Sequence, residues 1–247
     1  MRILITGAAS GLGKAFVEAF GRDNNNNHII AIDKSRDFST NSQCPAVVEC
    51  LAGTDVTDDR SMRALAGSKS VIDQPIDLVI HSAGIRGLVP AAEDAQPDSV
   101  AAAETMHVMD MDTLMRTFQV NAAGTFLLLR TVLPNLKLSR HEGRQPKVII
   151  MSSRMGSVGA NTGGSAYAYR ASKAALNAIV KSFSIDVPEV TFILCHPGRV
   201  ETKLVRYKEE GAISAEESVR GLLTLIEKWG ERDSGKFFDR FGEPIQW

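Results

Sequence analysis

The chain has 247 residues, 44% hydrophobic and 23% charged, with a formal net charge of −1 and a pI near 6.5. That length suits one large domain with a sizeable core, and the near-zero charge gives no electrostatic reason to expect nucleic acid or an anionic membrane as partner. Cys44, Cys50 and Cys195 have no metal-ligand spacing, no metal site is expected, and the odd cysteine count suggests reduced thiols in the cytoplasm.

The opening MRILITGAAS carries only three apolar residues before a threonine–glycine turn, too few for a secretory signal. No stretch approaches the roughly 20 apolar residues of a membrane span. In chain order, residues 3–5 read as a strand and residues 11–20 as a helix. The polar RDNNNN reads as a loop before a second strand at 29–32, and residues 47–51 form a third. TDDRSMRALAG looks helical and residues 78–80 are a fourth strand. One long amphipathic helix is expected from about residue 111 to 138. A fifth strand at 148–151, a helix at 167–184, a sixth strand at 190–195, a helix at 214–229 and a short strand at 236–238 complete the series. Ser214 and Glu217 have the spacing of a capping box.

The strands are continuously apolar rather than alternating, which implies burial on both faces. With helices between them they predict a single doubly wound α/β domain over residues 1–247, a Rossmann-type parallel sheet of about seven strands. Residues 85–110 and 203–213 are irregular. The first is expected to be a loop with a short helix.

ILITGAASGLGKAF sets Gly7, Gly11 and Gly13 between the first strand and the first helix. Glycines permit a sharp turn and close approach of a diphosphate, and the helix N-terminus offers N–H groups and a positive dipole end. In this strand–turn–helix context a dinucleotide outweighs a merely structural turn. Asp33 lies twenty residues past Gly13, at the end of the second strand. A carboxylate there accepts hydrogen bonds from ribose hydroxyls and repels a 2′-phosphate, which favours NAD over NADP. Lys34 and Arg36 can reach a 2′-phosphate and pull the other way; a helix-capping or surface aspartate is the plain alternative for Asp33. Asp55 suits either the adenine amine or a helix N-cap.

AYAYRASKAALN holds two of the three tyrosines. Tyr169 and Lys173 are an i,i+4 pair on one helix face, where an ammonium beside a phenol favours the phenolate. Tyr167 has Ala171 at i+4 and points elsewhere, toward packing or a substrate. An ordinary helix with an exposed tyrosine and lysine satisfies the same spacing. After the fifth strand, MSSRMGSV offers Ser152, Ser153 and Ser157, and HPGRVET after the sixth reads as a proline–glycine turn at the least.

The ordered set of GxxxGxG, Asp33, SAG at 82–84, VNAAG at 120–124, serines after the fifth strand, YxxxK and HPGRVET resembles the short-chain dehydrogenase/reductase family over nearly the whole chain. The segment around Tyr169 is most similar to its small carbonyl-reductase and cell-signalling-type members. The resemblance implies an NAD(P)-dependent oxidoreductase acting on a small-molecule carbonyl or secondary alcohol, with Tyr169 as acid/base and Lys173 lowering its pKa and binding the nicotinamide ribose. It implies that Asn121 holds a relay water and that Ser153, with Ser157 as the alternative, orients the substrate oxygen. For the cofactor it implies contacts from Gly7, Ser10, Gly11, Leu12, Gly13, Asp33, Asp55, Val56, Ala83, Gly84, Pro197, Gly198, Val200 and Thr202. It further implies a homodimer or homotetramer through the long helices.

His81 stands where many members carry asparagine, which questions a bond that braces the sheet. His81 reads as a hydrogen-bonded core residue rather than a ligand. Met106, Met109, Met111 and Met115 are expected to pack the core or line an apolar cleft. A sensor or signalling protein on the same fold is the competing function. A sugar-nucleotide epimerase is disfavoured by the roughly 45 residues left after Thr202.

Overall fold

Short runs of isoleucine, valine and leucine become seven strands: β1 (Arg2–Thr6), β2 (His28–Asp33), β3 (Val47–Ala52), β4 (Leu78–His81), β5 (Lys147–Met151), β6 (Thr191–His196) and β7 (Lys236–Asp239). All six pairings are parallel, in the order β3-β2-β1-β4-β5-β6-β7. The computed structural model describes residues 1–22, 26–38, 46–207 and 209–247. Cys44 and part of the RDNNNN loop lie outside them.

The helices are α1 (Gly11–Arg22), α2 (Asp59–Ala66), α3 (Pro90–Ala95), α4 (Met111–Phe118), α5 (Gly124–His141), α6 (Tyr167–Asp186) and α7 (Ala215–Lys228). Alternate side chains of each strand feed opposite layers. Ile3, Ile5, Ile29 and Ile193 pack with Phe16 of α1 and Leu222 of α7. Leu4, Ile30, Val148 and Leu194 pack with Leu128 of α5 and Val180 of α6. This two-sided core explains why the inner strands carry no polar face.

Two expectations change, and a third holds with an added turn. The long helix at 111–138 is two helices joined by a π turn, Gln119–Ala123. The irregular 85–110 stretch holds the expected short helix, α3, and adds a 3-10 turn, Val100–Glu104. Ser214 does cap α7 by accepting from Glu217 N at 3.0 Å, but the Glu217 carboxylate accepts from Arg240 at 3.3 Å instead of closing the box.

The chain runs outward through β1, β2 and β3, then returns to place β4 beside β1. Such a reversal leaves a crevice at the carboxyl ends of the two central strands. The glycine turn follows β1, the SAG segment β4, the serines β5 and the HPG turn β6.

Candidate active site

Gly7 leaves β1 with φ of +66°, a conformation costly for a residue with a Cβ. A Cβ on Gly13 would lie 2.2 Å from the Gly7 carbonyl oxygen, and one on Gly7 would lie 3.0 Å from Ala83 N. The glycines therefore let α1 and the loop after β4 close on the same turn. Asp33 braces it: Oδ2 accepts from Ala9 N at 3.0 Å and Oδ1 from Ser35 N at 2.8 Å. Asp55 accepts from Thr57 N and Thr57 Oγ1, both at 2.8 Å, while Asp58 is the N-cap of α2. The capping alternative for Asp55 is thereby set aside.

A cleft of about 610 Å³ opens at these strand ends, within the usual range for small-molecule sites. Gly7, Ser10, Gly11, Leu12, Asp33, Asp55, Val56, Ala83 and Gly84 line one part. Ser153, Tyr169, Lys173, Pro197, Gly198, Val200 and Thr202 line the rest. Of the residues expected at the site, Gly13 and Asn121 are absent from the lining: Gly13 lies beneath the turn, and Asn121 is fully buried. Both irregular segments contribute walls, through Ile85, Arg86, Leu88 and Glu93 on one side and Lys203 to Arg206 on the other.

The Tyr169 side chain is buried on the cleft floor, whereas Tyr167 is 44% exposed and does not line the cleft. The Ser153 hydroxyl accepts from Met155 N at 3.2 Å and acts on the Tyr169 phenol, favouring its ionised form. The two other serines are engaged elsewhere: Ser152 Oγ donates to Asn177 Oδ1 at 2.6 Å, and Ser157 Oγ accepts from Ala160 N at 3.1 Å. Lys173 Nζ lies 5.7 Å from the Tyr169 ring centroid and donates to the Met151 carbonyl at 2.8 Å. Burial lowers Lys173 to about 8.

Burial is also the largest influence on Tyr169 and holds its phenol above the ordinary value. The groups that pull it back are the Arg86 guanidinium and the Ser153 hydroxyl, rather than Lys173 as the i,i+4 spacing suggests. Arg86 Cζ lies 4.8 Å from the ring centroid, and Glu104 holds the guanidinium by bonds of 2.9 and 3.0 Å. Sequence reasoning misses this pair, because no local pattern joins residues 86 and 104.

The π turn places Asn121 where its Nδ2 donates to Ile85 O at 2.9 Å and Ser172 Oγ at 3.0 Å. Its Oδ1 accepts from Ile85 N at 2.8 Å, so the side chain ties the loop after β4 to α6. π turns often occur at functional sites. His81 supplies the brace that the missing asparagine put in question. Thr6 Oγ1 accepts from Ser82 N and Ala83 N at 3.1 and 3.0 Å, so its own proton goes to His81 Nδ1 at 2.8 Å. Nε2–H then faces Thr125 Oγ1 at 2.9 Å, and Thr125 donates to Asn121 O at 2.7 Å. Burial pushes His81 down to about 3, which keeps it neutral.

The methionine expectation fails for Met106, Met111 and Met115, which are 65%, 69% and 55% exposed and outside the cleft. Among the described residues, no group of three or more His, Cys, Asp or Glu could hold a metal ion, and no helix is long and apolar enough to cross a membrane.

Sheet order, glycine turn and the hydroxyl–lysine group at the strand ends define a Rossmann-type protein with its site at the switch point. Residues 1–212 match the short chain dehydrogenase family, and the chain belongs to it, among the oxidoreductases. It is 38% identical over 188 residues to C-signal of Myxococcus xanthus, covering 75% of this chain and 100% of that protein. It is 34% identical over 199 residues to 1-hydroxy-2-glutathionyl-2-methyl-3-butene dehydrogenase of Rhodococcus sp. (strain AD45), covering 79% of each. NADPH-bound carbonyl reductase from chicken fatty liver superposes with a TM-score of 0.82 at 26% identity, covering 100% of this chain and 94% of that one. Carbonyl reductase Sniffer of D. melanogaster superposes at 0.79, with 26% identity and coverage of 100% and 99%.

Proposed function

We propose that this short-chain dehydrogenase interconverts a carbonyl and a secondary alcohol with NAD(P), and that Tyr169 is the acid in reduction and the base in oxidation. The observation that carries the reading is that Tyr169, Ser153 and Lys173 line one cleft, with Lys173 Nζ 5.7 Å from the Tyr169 ring centroid on the same helix. The phenol gives its proton to the substrate oxygen as negative charge develops there, and the Ser153 hydroxyl donates to the same oxygen. A phenol held above its ordinary value stays protonated at neutral pH, which suits reduction. Lys173 holds the nicotinamide ribose, and Asn121 fixes the loop before it.

The cradle fits a dinucleotide. A Cβ at Gly11 would lie 3.0 Å from Thr202 Cγ2, so side chains there would fill the space a diphosphate needs. The first-turn N–H groups of α1 lack intrahelical partners and attract phosphate. Gly7, Ser10, Gly11 and Leu12 hold the diphosphate, and Asp55 and Val56 the adenine. Ala83 and Gly84 border the ribose, while Pro197, Gly198, Val200 and Thr202 hold the nicotinamide. Bound NAD(P) supplies or accepts the hydride. Asp33 at the lip favours NAD, and the adjoining Lys34 and Arg36 leave NADP usable. The carbonyl-reductase neighbours, one of them bound to NADPH, support the cofactor class and the reaction class.

The same reading makes the chain a cytoplasmic homodimer or homotetramer, with the exposed Met111, Met115, Phe118 and Phe126 of α4 and α5 as contact surface; light scattering tests that. A signalling role with little turnover is the second reading, favoured by the likeness to the full length of C-signal. Titration with NADH and NADPH, followed by a carbonyl and alcohol screen of wild type and Tyr169→Phe, separates them. Cofactor binding with turnover that Tyr169→Phe abolishes supports the enzyme. Binding without turnover favours signalling, and no binding sinks both.

A further inference from the structure

The loop after β4 and the 3-10 turn Val100–Glu104 meet in a buried ion pair that contacts the reactive tyrosine. Arg86 and Glu104 side chains are 12% and 9% exposed, and their two bonds are those of a guanidinium fork on a carboxylate. A third contact runs from Arg86 Nη1 to Met155 Sδ at 3.1 Å. The guanidinium is therefore held on one side by Glu104 and on another by Met155, with its carbon 4.8 Å from the Tyr169 ring centroid. Arginine at such a distance is attracted to the ring face, and the attraction strengthens if the ring carries a phenolate.

Glu104 also works through its backbone. Its carbonyl accepts from Ala166 N at 2.9 Å and Ser165 Oγ at 3.1 Å. Ser165 and Ala166 take φ of 55° and 51°, left-handed conformations in two successive non-glycine residues, immediately before α6. Such backbone persists only where its surroundings over-determine it. One residue thus pins the entrance of the helix that carries Tyr169 and Lys173, and pins the cation that covers Tyr169.

We propose that Arg86 is a positioning residue for Tyr169, a permanent cation set over its ring, and that Glu104 is the clamp that holds both this cation and the start of α6. The proposal rests on the reading of Tyr169 as acid/base and adds a second cation to Lys173. The two differ in kind. Lys173 can lose its proton in the alkaline range, whereas a guanidinium keeps its charge throughout. The groups that face the phenol are Arg86 from the β4 loop, Glu104 from the 3-10 turn, Lys173 from α6, the Ser153 hydroxyl after β5 and Glu209 from the 203–213 segment.

Because the clamp is an ion pair, its halves should move the tyrosine in opposite directions. Loss of the arginine leaves the carboxylate beside the phenol and disfavours phenolate. Loss of the carboxylate charge leaves the guanidinium unopposed and favours it. A merely structural pair would instead impair both variants alike. The test uses the full chain with its three tyrosines replaced biosynthetically by 3,5-difluorotyrosine, whose ring fluorines draw phenol ionisation toward neutral pH. Fluorine NMR then gives one titration for each tyrosine, and Tyr169→Phe identifies the relevant one.

Arg86→Gln should raise the Tyr169 midpoint by about one pH unit, a roughly tenfold fall in phenolate below it. Glu104→Gln should lower the midpoint, and Arg86→Lys should keep it near wild type. An unchanged midpoint in Arg86→Gln, a rise in Glu104→Gln, or a rise in Arg86→Lys equal to that in Arg86→Gln overturns the proposal. If Arg86→Gln does not fold, the Lys and Glu104 variants still decide. The titration needs no substrate, so its outcome is independent of the activity of Tyr169→Phe, which tests the acid/base reading itself.

Discussion

Tyr167 and Tyr169 begin the same helix, yet one is 44% and the other 7% exposed. A turn of about 100° per residue sets them on different faces, and the face of Tyr169 is that of Lys173. Tyr169→Phe keeps the ring and removes the transferable proton, so kcat/KM should fall by about 10²–10⁴-fold with cofactor affinity unchanged; stopped-flow and equilibrium titration measure the two. Ser153→Ala should cost about 10-fold or more in kcat, and Ser157→Ala much less, because Ser153 lines the cleft with Tyr169 while Ser157 lies outside the lining and accepts from Ala160 N. Equal losses would return the role to either serine. Asp33→Ala should weaken NADH more than NADPH and weaken both somewhat, since Asp33 also holds Ala9 N; a preference unchanged in the titration removes the ribose role. The tyrosine–lysine choice is legible in the sequence because i,i+4 spacing is local. The Arg86–Glu104 pair is not, since it exists only after the loop following β4 and the Val100–Glu104 turn are brought together.

At the scale of elements, the join of β1 to α1 leaves no space for a side chain at Gly13. Gly13→Ala must push the α1 backbone off the Gly7 carbonyl. The expected result is a loss of about 1–3 kcal/mol in denaturant unfolding and more than about tenfold in cofactor affinity, as the first-turn N–H groups leave their line. Gly67→Ala is the control. Its Cβ would meet nothing nearer than 3.6 Å, its φ is −85°, and it should be neutral or slightly stabilising. The strand and helix order was readable because apolar runs and capping residues are written locally. The π turn at Gln119–Ala123 was not, because its residues continue the amphipathic pattern of the flanking helices. What opens the turn is tertiary: Asn121 reaches across to both backbone groups of Ile85, and an unbroken helix gives no sign of that partner.

Across the whole molecule, the same chain of bonds that locks β1, β4 and α5 together depends on a neutral imidazole. His81 is buried between Thr6 and Thr125 and falls from its ordinary 6.5 to about 3. His196, beside the HPG turn, falls to about 4, chiefly through burial. Below pH 6.5 the unfolded chain binds protons at both positions while the folded chain does not. Stability contributed by the neutral rings is therefore complete above pH 6.5 and is lost as pH falls toward 4 and then 3. Each histidine adds a slope of about 1.4 kcal/mol per pH unit in its window. Together the two histidines remove about 6 kcal/mol between pH 6.5 and 4, enough to unfold a domain at the low end of the roughly 5–15 kcal/mol typical of natural domains. Urea midpoints and slopes measured from pH 7 to 4 should show the decline. His81→Gln can still accept from Thr6 and donate to Thr125, and it has no proton to gain. It should be less stable than wild type at pH 7, where packing is lost, and should show a pH dependence shallower by about 1.4 kcal/mol per unit. An identical slope in the two proteins would mean that His81 takes up its proton without unfolding, and that the sheet brace tolerates an imidazolium.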